Sequence, residues 1–215
     1  MMVWFILFAT AILIVYFLKG HSSDPTRKFA CQVASKKHRL QEKKSLEEQK
    51  QRTATQWMDL RPVRGDEDME LLRNWLHQEH VRRWWGDPET AVREARQRPS
   101  ENHRIITFRE HDCGYVCWER PDPKELADAG LTRYADGLID VDILIGRLDL
   151  LGCGIGTAVG KQLLQEIGGP ETQIGVGMSV DNRRALRTAK QLGFEVVHTY
   201  DDPDSGRCHY MLLSR

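Results

Sequence analysis

The chain has 215 residues, with 31 basic and 31 acidic side chains that cancel to a formal charge of zero. The cancellation is segmental: residues 1–55 carry ten Lys/Arg and four Asp/Glu, whereas 56–215 carry 21 and 27, a leader of +6 and a remainder of −6. An acidic remainder argues against nucleic acid as a partner and suits a cationic one, and five cysteines without a C-x-x-C pair signal neither a disulfide framework nor a zinc site.

From the N-terminus, Met1 to Leu18 is uncharged, with only Thr10 and Tyr16 as weakly polar members. That is about the length needed to cross a bilayer as a helix, so 1–19 is expected to be a membrane anchor. No Lys or Arg precedes the run and no A-x-A-like site follows it, which sets a cleaved signal peptide second; a misplaced start codon is the third reading. Lys19, Arg27, Lys28, Lys36, Lys37 and Arg39 follow against the single acid Asp24, so the positive-inside rule puts the rest in the cytoplasm. Residues 20–55 are expected to be a charged linker, with Lys36 to Arg52 a solvated helix or tether that has no apolar stripe to bury. Residues 56–215 have the size of one domain.

Within that domain Trp57 to Val63 alternates like a strand, and Asp66 opens a helix through Leu76. Helices are expected near His80 to Trp84 and Glu89 to Gln97. Arg104 to Arg109 and Gly114 to Trp118 flank Glu110 to Cys113 as a hairpin. After an acidic stretch from Glu119, the alternation continues: strand Leu138 to Ile145, helix Ile155 to Ile167, strand Thr172 to Met178, helix Asn182 to Leu192 ended by Gly193, strand Phe194 to Tyr200, and a last strand His209 to Leu213. The fold class is α/β with a mixed central sheet.

The most telling stretch runs from Asp142 to Thr157, a strand that leads into Gly152, Gly154 and Gly156 and then a helix. Alternate glycines leave backbone N–H groups uncovered beside a helix N-terminus, which suits a pyrophosphate, although a plain strand-to-helix turn can look alike. The spacing is not G-x-G-x-x-G, and no Gly-Lys-Ser/Thr follows, so a dinucleotide fold and a P-loop both fail. The pattern resembles the acetyl-CoA loop of the GNAT superfamily of N-acetyltransferases, Q/R-x-x-G-x-G/A, with Leu151 where Gln or Arg is commonest and Cys153 where a cation is usual. Asn182 to Phe194 resembles that superfamily's closing helix and strand. Asn74-Trp-Leu-His-Gln-Glu-His80 to Trp84-Trp85-Gly86 is similar to a stretch of aminoglycoside 6'-N-acetyltransferases.

The resemblance implies acetyl-CoA as co-substrate, with its pyrophosphate on Leu151, Gly152, Cys153, Gly154, Ile155, Gly156 and Thr157, its pantetheine on the backbone of Ile143, Leu144 and Ile145, and Asn182 beside it. Asp142, ten residues before Gly152, stands where the aminoglycoside enzymes carry a proposed catalytic Asp, with Asp140 two residues earlier on the same strand face. Alternatively both acids flank the strand in solvent. Trp84, Trp85, Asp87 and Asp136 are expected to border a small-molecule amine, one of the two tryptophans belonging instead to the core. Two departures stand out: Ala189 where a Tyr would protonate the departing thiolate, and Gly177-Met178 where the aminoglycoside enzymes tend to read Asp-Pro. An aminoglycoside, a hydroxylated lysine of the siderophore type, and a non-catalytic acetyl-CoA binder are the readings left open.

Overall fold

The computed structural model describes residues 25–169, 172–203 and 205–213, and its contacts divide the chain between Leu46 and Glu47. The expected anchor, Met1 to Leu18, lies outside the described residues. Among the described residues no helix is long and apolar enough to cross a membrane.

Helix α1 runs from Pro25 to Trp57. In the first unit it leaves Phe29, Val33, Leu40 and Leu46 exposed, as a helix without an apolar stripe must. The linker expected to reach residue 55 stops earlier, because from Glu47 on the helix belongs to the second unit and Ala54 is fully buried there. A single alanine in a polar run gives a periodicity search almost nothing to detect. Trp57 ends α1, and does not begin the first strand.

The second unit continues with β1 (Met58–Pro62), α2 (Gly65–Leu76), α3 (Glu79–Trp85), α4 (Pro88–Gln97), β2 (His103–Phe108) and β3 (His111–Glu119). Then come α5 (Pro123–Asp128), β4 (Leu138–Ile145), α6 (Ile155–Ile167), β5 (Gln173–Ser179), α7 (Arg183–Leu192), β6 (Phe194–Asp202) and β7 (Gly206–Leu213). The strands form one sheet in the order β1-β2-β3-β4-β5-β7-β6, antiparallel at every neighbour except the parallel pair β4 and β5.

Strand alternation divides the core into two layers. Tyr115 and Cys117 of β3 pack with Leu144 against Met69, Leu72, Trp75 and Leu76 of α2, Val81 of α3, and Val92 and Ala95 of α4. Val116 and Trp118 turn the other way and join Val141, Ile155, Ala158, Val159 and Leu163. The apolar spacing of α2 and of α6 is that of one helix face. The hairpin turn is tighter than the sequence suggests: Arg109 and Glu110 both take positive φ, 51° and 66°, and Asp112 and Cys113 already belong to β3. Two left-handed residues match the twist of the flanking strands, a local fit that outweighs side-chain preference.

The acidic stretch after Glu119 is not an open loop. Asp122 caps α5 by accepting from Lys124 N at 2.7 Å, with Pro123 at the first helical position, and Leu126 and Leu131 pack with Leu138 and Tyr210 into a third cluster.

One buried ion cluster ties the start of the sheet together. Arg61 of β1 donates to both oxygens of Asp68 at 2.7 Å and to Asp112 at 2.8 and 2.6 Å, so β1, α2 and the hairpin share one guanidinium. Burial opposes the charge on Asp68, but bonds from Arg61 and from the Arg64 amide outweigh it and hold that carboxyl below its ordinary range. Removing Arg61 strands a buried carboxylate. Arg61→Ala is expected to cost about 3–5 kcal/mol. Because the folded carboxyl titrates below its unfolded value, its contribution is complete above the ordinary Asp range and lost as pH falls through the depressed one. The gap between the urea midpoints of wild type and Arg61→Ala, full at about pH 7, should therefore narrow progressively as pH falls below the ordinary Asp range of about 4; a gap that does not narrow would refute this account of the cluster.

Candidate active site

The site begins where two strands part. β4 pairs with β3 from Asp140 to Ile145 but with β5 only at Leu138, Ile139 and Asp140, while β5 turns its remaining length, Gly175 to Ser179, to β7. Beyond Asp140, β4 thus keeps one neighbour and leaves the backbone of Ile143, Leu144 and Ile145 along the opening. Tyr210 of β7 donates to Asp140 Oδ1 at the last shared pair. Gly175 lies directly beneath, where any Cβ would collide with the Tyr210 hydroxyl and the Asp140 carboxylate.

Asp142, the first acid beyond the fork, is exposed to solvent although protein atoms crowd it. Burial, then the charge of Asp140, pushes it up to about 6, with Arg98 pulling the other way. Asp140 is likewise pushed up to about 6 by burial, moderated by the Tyr210 bond and raised again by Glu119 and Glu125. Burial and then Asp122, Glu119 and Glu94 raise Glu125. The acids expected to sit together do so, and the stretch after Glu119 adds to them. Arg98 is the counter-charge, bonded to Glu119 at 2.8 Å and to the Tyr115 hydroxyl at 3.3 Å.

Other expected residues are placed more variously. Trp85 packs on the core side in an edge contact with Tyr115, ring centroids 6.4 Å apart, whereas Trp84 is half-buried beneath the Arg83 guanidinium at 4.9 Å. Asp87 is an exposed cap of α4, accepting from Thr90 N at 2.8 Å, and that bond lowers its pKa. Asp136 is exposed in the turn before β4, its carbonyl taken by Gln173 at 3.1 Å. His80 Nε2 lies 3.1 Å from the Ile145 carbonyl, and since a carbonyl only accepts, that nitrogen carries the hydrogen.

The glycine turn follows β4. Gly152 and Gly154 take φ of 77° and 84°, the left-handed region glycine tolerates, and Gly154 caps α6 without any side-chain bond. The first helical bond runs from Ala158 N to Gly154 O at 3.0 Å, so the amides of Ile155, Gly156 and Thr157 precede the ladder and stand available to an anion. Leu151 and Cys153 are half-buried and add no charge. Thr157 bonds Gln191 of α7 at 3.1 Å, and Asn182 caps α7 by accepting from Ala185 N at 3.2 Å, so both fix the two helices relative to each other or to their own ends. Ala189 is buried in the cluster around Val159, and no hydroxyl stands in its place.

Sequence reasoning missed two tyrosines. Tyr210 carries the bond to Asp140, and the Tyr200 hydroxyl lies 3.4 Å from where a Cβ on Gly177 would sit, its pKa pushed up to about 12, chiefly by burial. Their only trace was alternation in two C-terminal strands, whose partners are set by long-range pairing.

A mixed sheet that opens beside a parallel pair, with an uncharged glycine turn leading into a helix, defines an acyl-CoA-using transferase. Residues 64–202 match the family described as acetyltransferase (GNAT) domain, and the chain belongs to that family and is an acyltransferase. Among curated relatives, "Aminoglycoside N(6')-acetyltransferase type 1" of Klebsiella pneumoniae and of Serratia marcescens are each 27% identical over 162 residues, covering 70% of this chain and 80% of theirs. Among solved structures, the aminoglycoside acetyltransferase AAC(6')-Ib in complex with coenzyme A and kanamycin is 27% identical with a TM-score of 0.59, covering 74% of this chain and 95% of its own. The N(6')-acetyltransferase of Legionella pneumophila, 20% identical at 0.58 over 73% and 91%, shares the fold.

A carboxyl whose folded pKa is raised destabilises the fold when ionised. Asp142→Asn should therefore melt above wild type at about pH 8, the difference shrinking as pH falls from about 6 towards about 4. Equal melting temperatures across that range would show that the surroundings of Asp142 impose no cost on its charge.

Proposed function

We propose that this chain transfers the acetyl group of acetyl-CoA to a primary amine of a small polycation, the 6'-amine of an aminoglycoside being the leading case. The observation that carries the reading is Asp142, raised to about 6 at the β4/β5 fork and neighboured by Asp140 and Glu119, with Glu125 adding its charge at Asp140. Relatives whose names specify aminoglycoside N(6')-acetylation and whose complexes hold coenzyme A with kanamycin support the choice of substrate.

The residues present fit such a donor. Amides of Ile155, Gly156 and Thr157 would hold the pyrophosphate with Gly152 and Gly156 keeping side chains out of the way, and the open edge of β4 at Ile143 to Ile145 would pair with pantetheine amides. Bound there, acetyl-CoA supplies an activated acyl carbon. The acids draw in the cationic acceptor and Asp142 takes the proton from its ammonium, directly or through water, so that the free amine can attack. Asp140, held by Tyr210, keeps a second negative charge near Asp142 and thereby sustains its basicity. With Ala189 in the core, the departing thiolate takes its proton from solvent. That same residue, with Leu151 and Cys153 in the loop, favours a non-catalytic binder, and the assay decides between the two.

Full-length protein with acetyl-CoA, a thiol-detecting reagent and a panel of kanamycin, spermidine and hydroxylated lysine tests the proposal. Coenzyme A release with kanamycin as the best acceptor is expected, kcat/KM rising with pH through about 6 as the acidic pair ionises. Asp142→Asn should lower turnover about 10²–10⁴-fold, far more than Asp140→Asn, with acetyl-CoA affinity intact. Thiol release with none of the amines, despite acetyl-CoA binding, would reject catalysis; preference for hydroxylated lysine would reject the aminoglycoside.

A further inference from the structure

The loop that would hold pyrophosphate carries no charge of its own, since every side chain from Leu151 to Thr157 is apolar, a thiol or a hydroxyl. The cations flanking it in sequence are engaged elsewhere. Arg147 is held by Asp149 at 2.6 Å, and Lys161 Nζ donates to Gln51 Oε1 at 3.1 Å. The loop and its flanking segment would then offer only amides to a multiply charged anion at a site open to water.

A cation reaches the loop from outside the segment that matches the family. Lys50, near the end of α1, is half-buried, and its Nζ donates to the carbonyl oxygen of Gly152 at 3.2 Å. The backbone makes this approach specific: a Cβ on Gly154 would lie 3.3 Å from the Lys50 carbonyl and the Gln51 amide, so α1 abuts the loop at a residue with no side chain. One turn on, Ala54 is fully buried in the cluster containing Ile155, Ala158 and Val159, which fixes α1 against α6. The other side of the turn stays open. A Cβ on Gly152 would meet nothing within 4 Å, and one on Gly156 would meet only Thr188 Cγ2 at 3.7 Å.

We propose that Lys50 is a cofactor-binding residue: its ammonium, docked on the Gly152 carbonyl, supplies the pyrophosphate with the positive charge that the loop lacks. An ammonium has three N–H donors, and Gly152 uses one. The rest, on a flexible four-carbon stem, can turn to phosphate oxygens held at the neighbouring amides. The inference rests on acetyl-CoA being the donor, and it gives the end of α1 a role in the acetyltransferase site.

The test compares full-length wild type, Lys50→Met, Lys50→Arg and the double variant Lys50→Met/Cys153→Lys with two donors. Acetyl-CoA is one; S-acetylpantetheine, the same thioester on the same arm without the nucleotide, is the other. Lys50→Met should raise KM for acetyl-CoA about tenfold, as loss of a charged hydrogen bond does, while KM for S-acetylpantetheine stays put. Lys50→Arg should keep most of the affinity, and a lysine placed in the loop itself should restore it to Lys50→Met. Equal rises for both donors would reduce Lys50 to a fastener of α1, and tighter acetyl-CoA binding in Lys50→Met would make the helix an obstruction; either overturns the proposal. An active wild type indifferent to Lys50→Met sinks this inference alone, whereas a wild type that uses neither donor sinks the reading of the reaction with it.

Discussion

Everything at the site depends on β4 and β5 running together for only three residues and then separating. A parallel pair joined that briefly needs a reason to stop, and the structure supplies one on each side. β5 is claimed by β7 from Gly175 onward, and the Asp140 and Tyr210 pair sits over Gly175 where the strands last touch. The fork thus exposes main-chain polar groups on β4 without unfolding it, because β3 continues to hold its other edge. An unpaired strand edge inside a domain is ordinarily a liability. In an acyltransferase it is a place for a ligand that carries amides of its own.

The same chain treats two carboxylates in opposite ways, and the contrast separates scaffold from site. Asp68 receives Arg61 and a backbone amide, and its charge is stabilised beyond that of a free Asp. Asp142 receives no such partner among the described residues; Arg98, which opposes its shift, is already bonded to Glu119 and Tyr115. Its proton affinity rises towards neutrality, the range in which a carboxylate can exchange protons with an amine. Asp140 and Glu119 add negative charge around it, and Glu125 adds more at Asp140, a costly arrangement for a fold and a useful one for drawing in a cation.

Much of this was legible in the sequence, and the reasons are local. β4 and α6 begin and end where expected because their signals are short-range: alternation from Leu138 to Ile145, then glycines and an apolar face. The pairing of Asp140 with Asp142 on one strand face, and the stop of α7 at Gly193, followed from the same rules. What was not legible depends on distant partners. Tyr210 looked like one more strand residue, since nothing nearby in sequence shows that it reaches Asp140. Asp87 and Asn182, expected beside substrate and cofactor, also cap α4 and α7, a second role that Asp87-Pro88 and Asn182 three residues before Ala185 already signal. The last turns of α1 read as linker because Lys50 and Ala54 acquire meaning only against the glycine turn and α6.

The central claim is that the turn from Gly152 to Thr157 binds the phosphates of acetyl-CoA beside the β4 fork. Calorimetric titration of acetyl-CoA into wild type and Gly156→Asp tests it most directly, since a Cβ there meets only Thr188 Cγ2 at 3.7 Å and the variant sets a negative charge and a side chain among the amides at the anion site. Saturable one-to-one binding by wild type, weakened at least about tenfold in a folded Gly156→Asp, is the predicted result. Equal affinity in the two proteins would contradict the assignment of the turn.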